Sequence, residues 1–164
     1  HELCIGDIIV YMDDDDFYPP TRVEHAVDAL VSSDNLIAGS TYLPILFVKD
    51  CDFWIAGPYS KNHATAGTFA FKRELLAETS YQDDAVSAEE KHFLKNYTIP
   101  MVQLQPLSTI VCIAHASNTF NKDTLRQQAI KAGGSTGTFK PFQYSNDSQR
   151  SAIADIARLY DSVG

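Results

Sequence analysis

Gly6-Asp7-Ile8-Ile9-Val10-Tyr11-Met12-Asp13-Asp14-Asp15-Asp16-Phe17-Tyr18-Pro19-Pro20 is the stretch on which the fold turns. Residues 5–12 form a short, β-branched and nearly continuous apolar run, the pattern of a strand buried on both faces of an α/β sheet. The run stops at four consecutive aspartates. After Pro19-Pro20, residues Val23, Ala26, Val27 and Leu30 recur at helical spacing, which predicts a helix over 21–31 with Pro20 where a first turn tolerates it. Strand, acidic turn and helix make an α/β unit. Ligands in such sheets gather at the carboxyl ends of strands, where these acids fall.

Outward from this unit, 36–43 and 45–49 read as strands broken at Pro44, followed by an aromatic, Gly/Pro-marked segment at 53–59. Ser60-Lys61-Asn62-His63 has the character of an exposed loop. A strand containing Gly67 is expected over 65–71, then a short helix near 73–78 and an acidic turn over 81–85. Ser87 and Glu90 have the spacing of a capping box for a helix over 88–96. Strands at 100–105 and 109–114 precede a helix at 122–132 that ends on Gly133-Gly134. Ile153, Ile156, Ala157 and Tyr160 then mark one apolar face of a C-terminal helix. The expected division is a main domain at 1–132 and a glycine-rich linker with an amphipathic helix at 133–164.

The 164 residues are 45% hydrophobic and 21% charged, ordinary for a globular chain with a core of its own. Thirteen Lys and Arg against twenty-one Asp and Glu leave a net charge of −8. That balance argues against nucleic-acid backbones and anionic membranes as partners, since both select basic surface. Cys4, Cys51 and Cys112 are far apart, form no C-x-x-C pair and lie in apolar contexts, so the reading is three buried, reduced thiols. No apolar run reaches the ~18 residues of a membrane span, and no basic-then-apolar leader opens the chain, so a cytoplasmic location is expected.

Four adjacent carboxylates repel one another, and a divalent cation is the common remedy. If the extended geometry persists, Asp13 and Asp15 point to one side and Asp14 and Asp16 to the other. A D-x-D pair of that kind can hold Mg²⁺ or Mn²⁺ against a diphosphate; the alternative is a solvated acidic turn. His115, at the end of the apolar run Ile110-Val111-Cys112-Ile113, is a candidate ligand from the same sheet edge. Asp83, Asp84, Glu89 and Glu90 are four candidates for a general base, and residue chemistry alone leaves the choice among them open.

Gly6 to Val23 resembles the metal-binding strand of GT-A glycosyltransferases, especially the family 2-like group found in bacteria and large DNA viruses. Ala66-Gly67-Thr68-Phe69-Ala70-Phe71-Lys72-Arg73-Glu74 is similar to that family's glycine-containing strand beside the sugar. Ser87-Ala88-Glu89-Glu90-Lys91-His92-Phe93-Leu94 resembles its acidic helix start, and His115-Ala116-Ser117-Asn118-Thr119-Phe120 its late histidine segment. The resemblance covers about Gly6 to Lys122. It implies a GT-A mixed sheet flanked by helices, and Mn²⁺ or Mg²⁺ bound by Asp15, Asp13 and His115. Asp14 and Gly67 would lie beside the donor ribose and sugar, and Glu90 would be the base of an inverting transfer. Glu89 would position or cap, and Trp54 and Tyr59 would line the acceptor side.

In that family, a nucleotide pocket of βα units precedes the D-x-D strand. The expectation is therefore the metal and acceptor part of a transferase, N-terminally truncated, completed by an upstream segment or a partner chain. The donor would be a nucleotide-diphosphate sugar; the acceptor would be a glycan, a protein or a small molecule. A metal-dependent phosphatase or nucleotidyltransferase is the second reading, although Phe17-Tyr18 stand where a dehalogenase-like phosphatase wants a small hydroxyl residue. A non-catalytic sugar-binding module is the third.

Overall fold

The computed structural model describes residues 3–81, 89–115 and 121–161, and only the backbone of Glu89 and Asp161. These residues form an α/β structure with two four-stranded mixed sheets and four α-helices. The chain divides into two compact units, one of residues 1–14, 18–41 and 59–110, the other of 15–17, 42–58 and 111–164. Among the described residues no helix is long and apolar enough to cross a membrane.

The sheet of the first unit has the order β1-β5-β2-β6, from β1 (Ile8–Val10), β2 (Ile37–Gly39), β5 (Ala70–Lys72) and β6 (Met101–Gln103). Only the β2–β6 pair is parallel. Period-two alternation gives the sheet two apolar faces. Ile9, Ile37, Phe71 and Met101 pack with Phe69, Phe93 and Leu94, whereas Ala38 and Ala70 pack with Ala26 and Leu30 of α1 (Arg22–Val31). The opening strand is thus covered on both faces, but it is an antiparallel edge strand whose Ile8 and Val10 stay half-buried. It is also shorter than the apolar run, with Leu3 and Ile5 exposed.

The sheet of the second unit has the order β7-β3-β4-β8, from β3 (Leu43–Phe47), β4 (Asp52–Ala56), β7 (Cys112–Ala114) and β8 (Lys140–Pro141). Pro44 does not break a strand, contrary to expectation; it pairs with Ile55 inside β3. The parallel ladder with β7 begins only at Ile45, so Pro44 has a strand partner on one side, where a missing N–H is tolerated. Helix α3 (Lys122–Lys131) is capped by Asn121, whose side chain accepts from the Thr124 N–H. Helix α4 (Asp147–Asp161) buries Ile153, Ile156 and Ala157, the face its spacing predicts.

Candidate functional site

The acids do not continue the strand. β1 ends at Val10, and the chain turns at Asp14 and Asp15, so the side-to-side alternation of an extended D-x-D does not apply. Asp13 and Asp14 belong to the first unit, Asp15 and Asp16 to the second.

In the second unit, Phe17 and Val111 exchange both backbone hydrogen bonds, at 3.0 and 2.8 Å, which ties the end of the acidic run to the approach of β7. Asp16 Oδ1 accepts from the Ile113 N–H at 2.8 Å, and its carboxylate also faces the Cys112 thiol and the Lys122 ammonium. Burial raises the Asp16 pKa against the opposing pull of the Ile113 N–H. The Cys112 thiol is pushed up to about 12, first by burial and then by the neighbouring Asp16 charge, so it is a protonated core group. Asp16, which the sequence reading left without a role, is the anchor of the turn.

That anchorage delivers Asp15 to His115, which follows the last residue of β7. Asp15 Oδ2 lies 3.1 Å from His115 Nε2 across one hundred residues of sequence, with the two side chains 47% and 35% exposed. The contact has the length of a hydrogen bond between carboxylate and imidazole. Among the described residues no group of three or more His, Cys, Asp or Glu could hold a metal.

In the first unit, Asp13 is exposed and abuts Gly67: a Cβ on Gly67 would lie 2.7 Å from Asp13 Oδ2 and 3.3 Å from the Tyr18 hydroxyl. The hydroxyl of Tyr18 accepts from the Asp13 N–H at 2.9 Å and donates to the Gly67 carbonyl at 3.2 Å. One helical turn later Arg22, 1% exposed, donates to the carbonyls of Thr68 and Phe69, both at 2.9 Å. Tyr18 and Arg22 thus fasten the start of the acidic run against the Gly67 turn. That segment is a 3₁₀ turn, Ala66–Thr68, and not the expected strand, which begins only at Ala70. A hydroxyl and a guanidinium reaching backbone carbonyls leave no periodic signal, so neither residue stood out in the sequence.

Glu90, in the short helix α2 (Glu89–Phe93), is half-buried, and its Oε1 accepts from the Ala66 N–H at 3.2 Å. The bond crosses to the Gly67 turn, a partner other than the capping-box one expected. Asp83, Asp84 and Ser87 lie outside the described residues, as does the Glu89 side chain. Asp14 is exposed.

No protein-family model matches this chain, and no curated protein matches it.

The aromatic candidates separate. Trp54 is 3% exposed; its indole N–H donates to Asp52 at 2.7 Å and its ring stacks on Phe139 at 4.8 Å. It is a core residue of the second unit, with Phe139 against its ring. Tyr59 is half-buried and stacks on His63, and the segment expected as an exposed loop has a half-buried His63 at its end. An open hollow of 640 Å³ is lined by Asp7, Ile8, Lys72, Arg73 and Glu74 and contains none of the candidate residues.

Proposed function

We propose that this chain is the metal and acceptor part of a GT-A-like glycosyltransferase, moving a sugar from a nucleotide-diphosphate sugar to an acceptor hydroxyl with inversion. The observation that carries the reading is the Asp15–His115 pair, brought together across one hundred residues by the Asp16 and Phe17 anchors. A D-x-D run and a late histidine are the two segments that the family resemblance selects for the cation. The Asp13–Gly67 approach and the Glu90–Ala66 bond add support, since the resemblance assigns all of these segments to the donor and acceptor side.

In this reading Asp15 and His115 hold Mn²⁺ or Mg²⁺, which when bound supplies positive charge to the departing diphosphate. Asp13 and Asp14 lie on the donor side, where the absence of a side chain on Gly67 lets the Asp13 carboxylate approach. Glu90 takes the proton from the acceptor hydroxyl as it attacks the anomeric carbon. The Ala66 N–H holds one carboxylate oxygen of Glu90.

The test is calorimetric titration with Mn²⁺, then with nucleotide-sugars, followed by a transfer assay. Mn²⁺-dependent donor binding should vanish in Asp15→Ala and fall sharply in His115→Ala. Glu90→Gln, which keeps the acceptor for the Ala66 N–H, should lower transfer by about 10²-fold or more with donor binding unchanged. Donor binding that ignores both Mn²⁺ and Asp15 would sink the reading, and full turnover by Glu90→Gln would remove the base.

A further inference from the structure

Strand β1 closes one side of the first unit's sheet, and among the described residues no strand pairs with its outer edge. Its ladder to β5 decides which groups point there. The Arg73 N–H bonds to the Asp7 carbonyl at 2.8 Å and the Tyr11 N–H to the Phe69 carbonyl at 2.9 Å, with Ile9 opposite Phe71 between them. Opposed residues in an antiparallel pair alternate between bonded and non-bonded. Asp7, Ile9 and Tyr11 therefore turn their backbone groups toward β5, and Ile8 and Val10 turn theirs outward.

An apolar helix flank lies beside that edge. In α1, Arg22, Ala26 and Leu30 are buried, and His25 accepts from the Gln105 N–H at 3.0 Å, just beyond β6 at the far side of the sheet. At ~100° per residue, Val23, Val27 and Val31 fall on the flank opposite His25, toward β1. Val23 and Val31 are 50% and 72% exposed, and Leu3 and Ile5, just before β1, are exposed as well. The strand is short, but residues 8–12 carry no lysine, proline or charge to keep another edge away.

The edge is its own complement. A second copy related by a two-fold axis at Ile9 sets Ile8 opposite Val10 and Val10 opposite Ile8, each pair exchanging both backbone bonds. The half-buried Ile8 and Val10 side chains of the two copies meet on one face, and Ile9 meets Ile9 on the other. Both α1 helices then lie on the same face of a continuous sheet with their valine flanks toward each other. The neighbouring registers are poorer. A slip toward the acidic run sets Asp7 opposite Asp13, which opposes like charges. A slip the other way sets Val10 opposite Gly6, which has no side chain to pack. We propose that the outer edge of β1 and the valine flank of α1 form a homodimer interface, which joins two copies of the four-stranded sheet edge to edge. The interface does not rest on the transferase reading.

Sedimentation velocity on the full chain over about 1–500 µM should show a monomer–dimer equilibrium at the weak end, as befits a small interface. Amide exchange followed by NMR should show protection of Ile8 and Val10 that rises with concentration, since the β5 ladder uses neither N–H. The double variant Val23→Glu/Val31→Glu, at exposed positions that the fold tolerates, should weaken the dimer about tenfold or more. Ile8→Pro removes an outward N–H and should abolish the dimer with the far-ultraviolet circular dichroism unchanged. A chain that stays monomeric throughout overturns the proposal and leaves the edge to a strand of another polypeptide. A dimer whose Ile8 and Val10 amides stay unprotected, or which the double variant leaves as tight as wild type, overturns it too.

Discussion

The two units bury an arginine in opposite ways. In the first, Arg22 is 1% exposed and spends one nitrogen on the Thr68 and Phe69 carbonyls, while its Nε and Nη1 find no hydrogen-bond partner among the described residues. Burial pulls its pKa down. In the second, Arg126 meets Asp50 at 2.7 Å, Asp123 at 2.9 Å and Asp52 at 3.3 Å, and lies 4.1 Å over the Phe47 ring. Burial would lower its pKa, but those carboxylates together outweigh burial and raise it. The first unit holds charge against backbone dipoles, which constrain direction. The second holds charge against charge, which adds Coulombic attraction to the hydrogen bonds. The directional clamp is the one that fixes the Gly67 turn beside Asp13.

The largest test of that contrast is Arg22→Met. It removes the side-chain donor to the Thr68 and Phe69 carbonyls, of which Phe69 keeps the Tyr11 N–H, and urea denaturation should report a loss of about 2 kcal/mol. Because a single nitrogen makes both bonds, Arg22→Lys should recover part of the loss; a lysine variant no better than methionine would break the carbonyl-clamp account. Arg126→Met should cost less, about 1 kcal/mol, because its partner carboxylates are 41–64% exposed and can rehydrate. Raising salt should narrow the gap between wild type and Arg126→Met and leave the Arg22→Met gap unchanged.

Cys51 stands between Asp50 and Asp52 with φ of 48°, so the charged network is held by a left-handed non-glycine residue. Cys51→Gly should stabilise the protein by about 0.5 kcal/mol, the strain relieved less the extra chain entropy. A loss instead would mean that the Cys51 side chain contributes packing. The smallest effect is pH-dependent. The folded-state pKa of His63 is below its ordinary 6.5, so the unfolded chain binds the proton more readily. Its contribution is therefore present above the unfolded value and lost as pH falls from about 6.5 toward the folded value. His63→Phe should make stability less sensitive to acid, and an unchanged slope between pH 7 and 5 would reassign it.

Local chemistry made much of the fold legible. Helix α1 carries its apolar residues at helical spacing, α3 ends at Gly133-Gly134, and α4 presents the expected Ile153–Ile156–Ala157 face. These depend on neighbours three or four residues apart, which a sequence displays directly. Pro44 misled because a proline is excluded only where both sides of a strand are paired, a property of the sheet and not of the residue. Gly67 misled for a similar reason: it marks a close approach to Asp13, which a 3₁₀ turn delivers as well as a strand.

By itself the sequence determined which groups could carry chemistry: an acidic run after an apolar strand, a histidine after another, and a glutamate opening a helix. Tertiary structure alone decided their employment. It separated Asp16, a half-buried anchor, from Asp15, which meets His115, though the two are identical and adjacent. It sent Trp54 into a core and set Tyr59 in a stack with His63 and Tyr97. The physical reason is that burial and partner choice depend on contacts between residues dozens of positions apart, for which the order of residues along the chain carries no local signature.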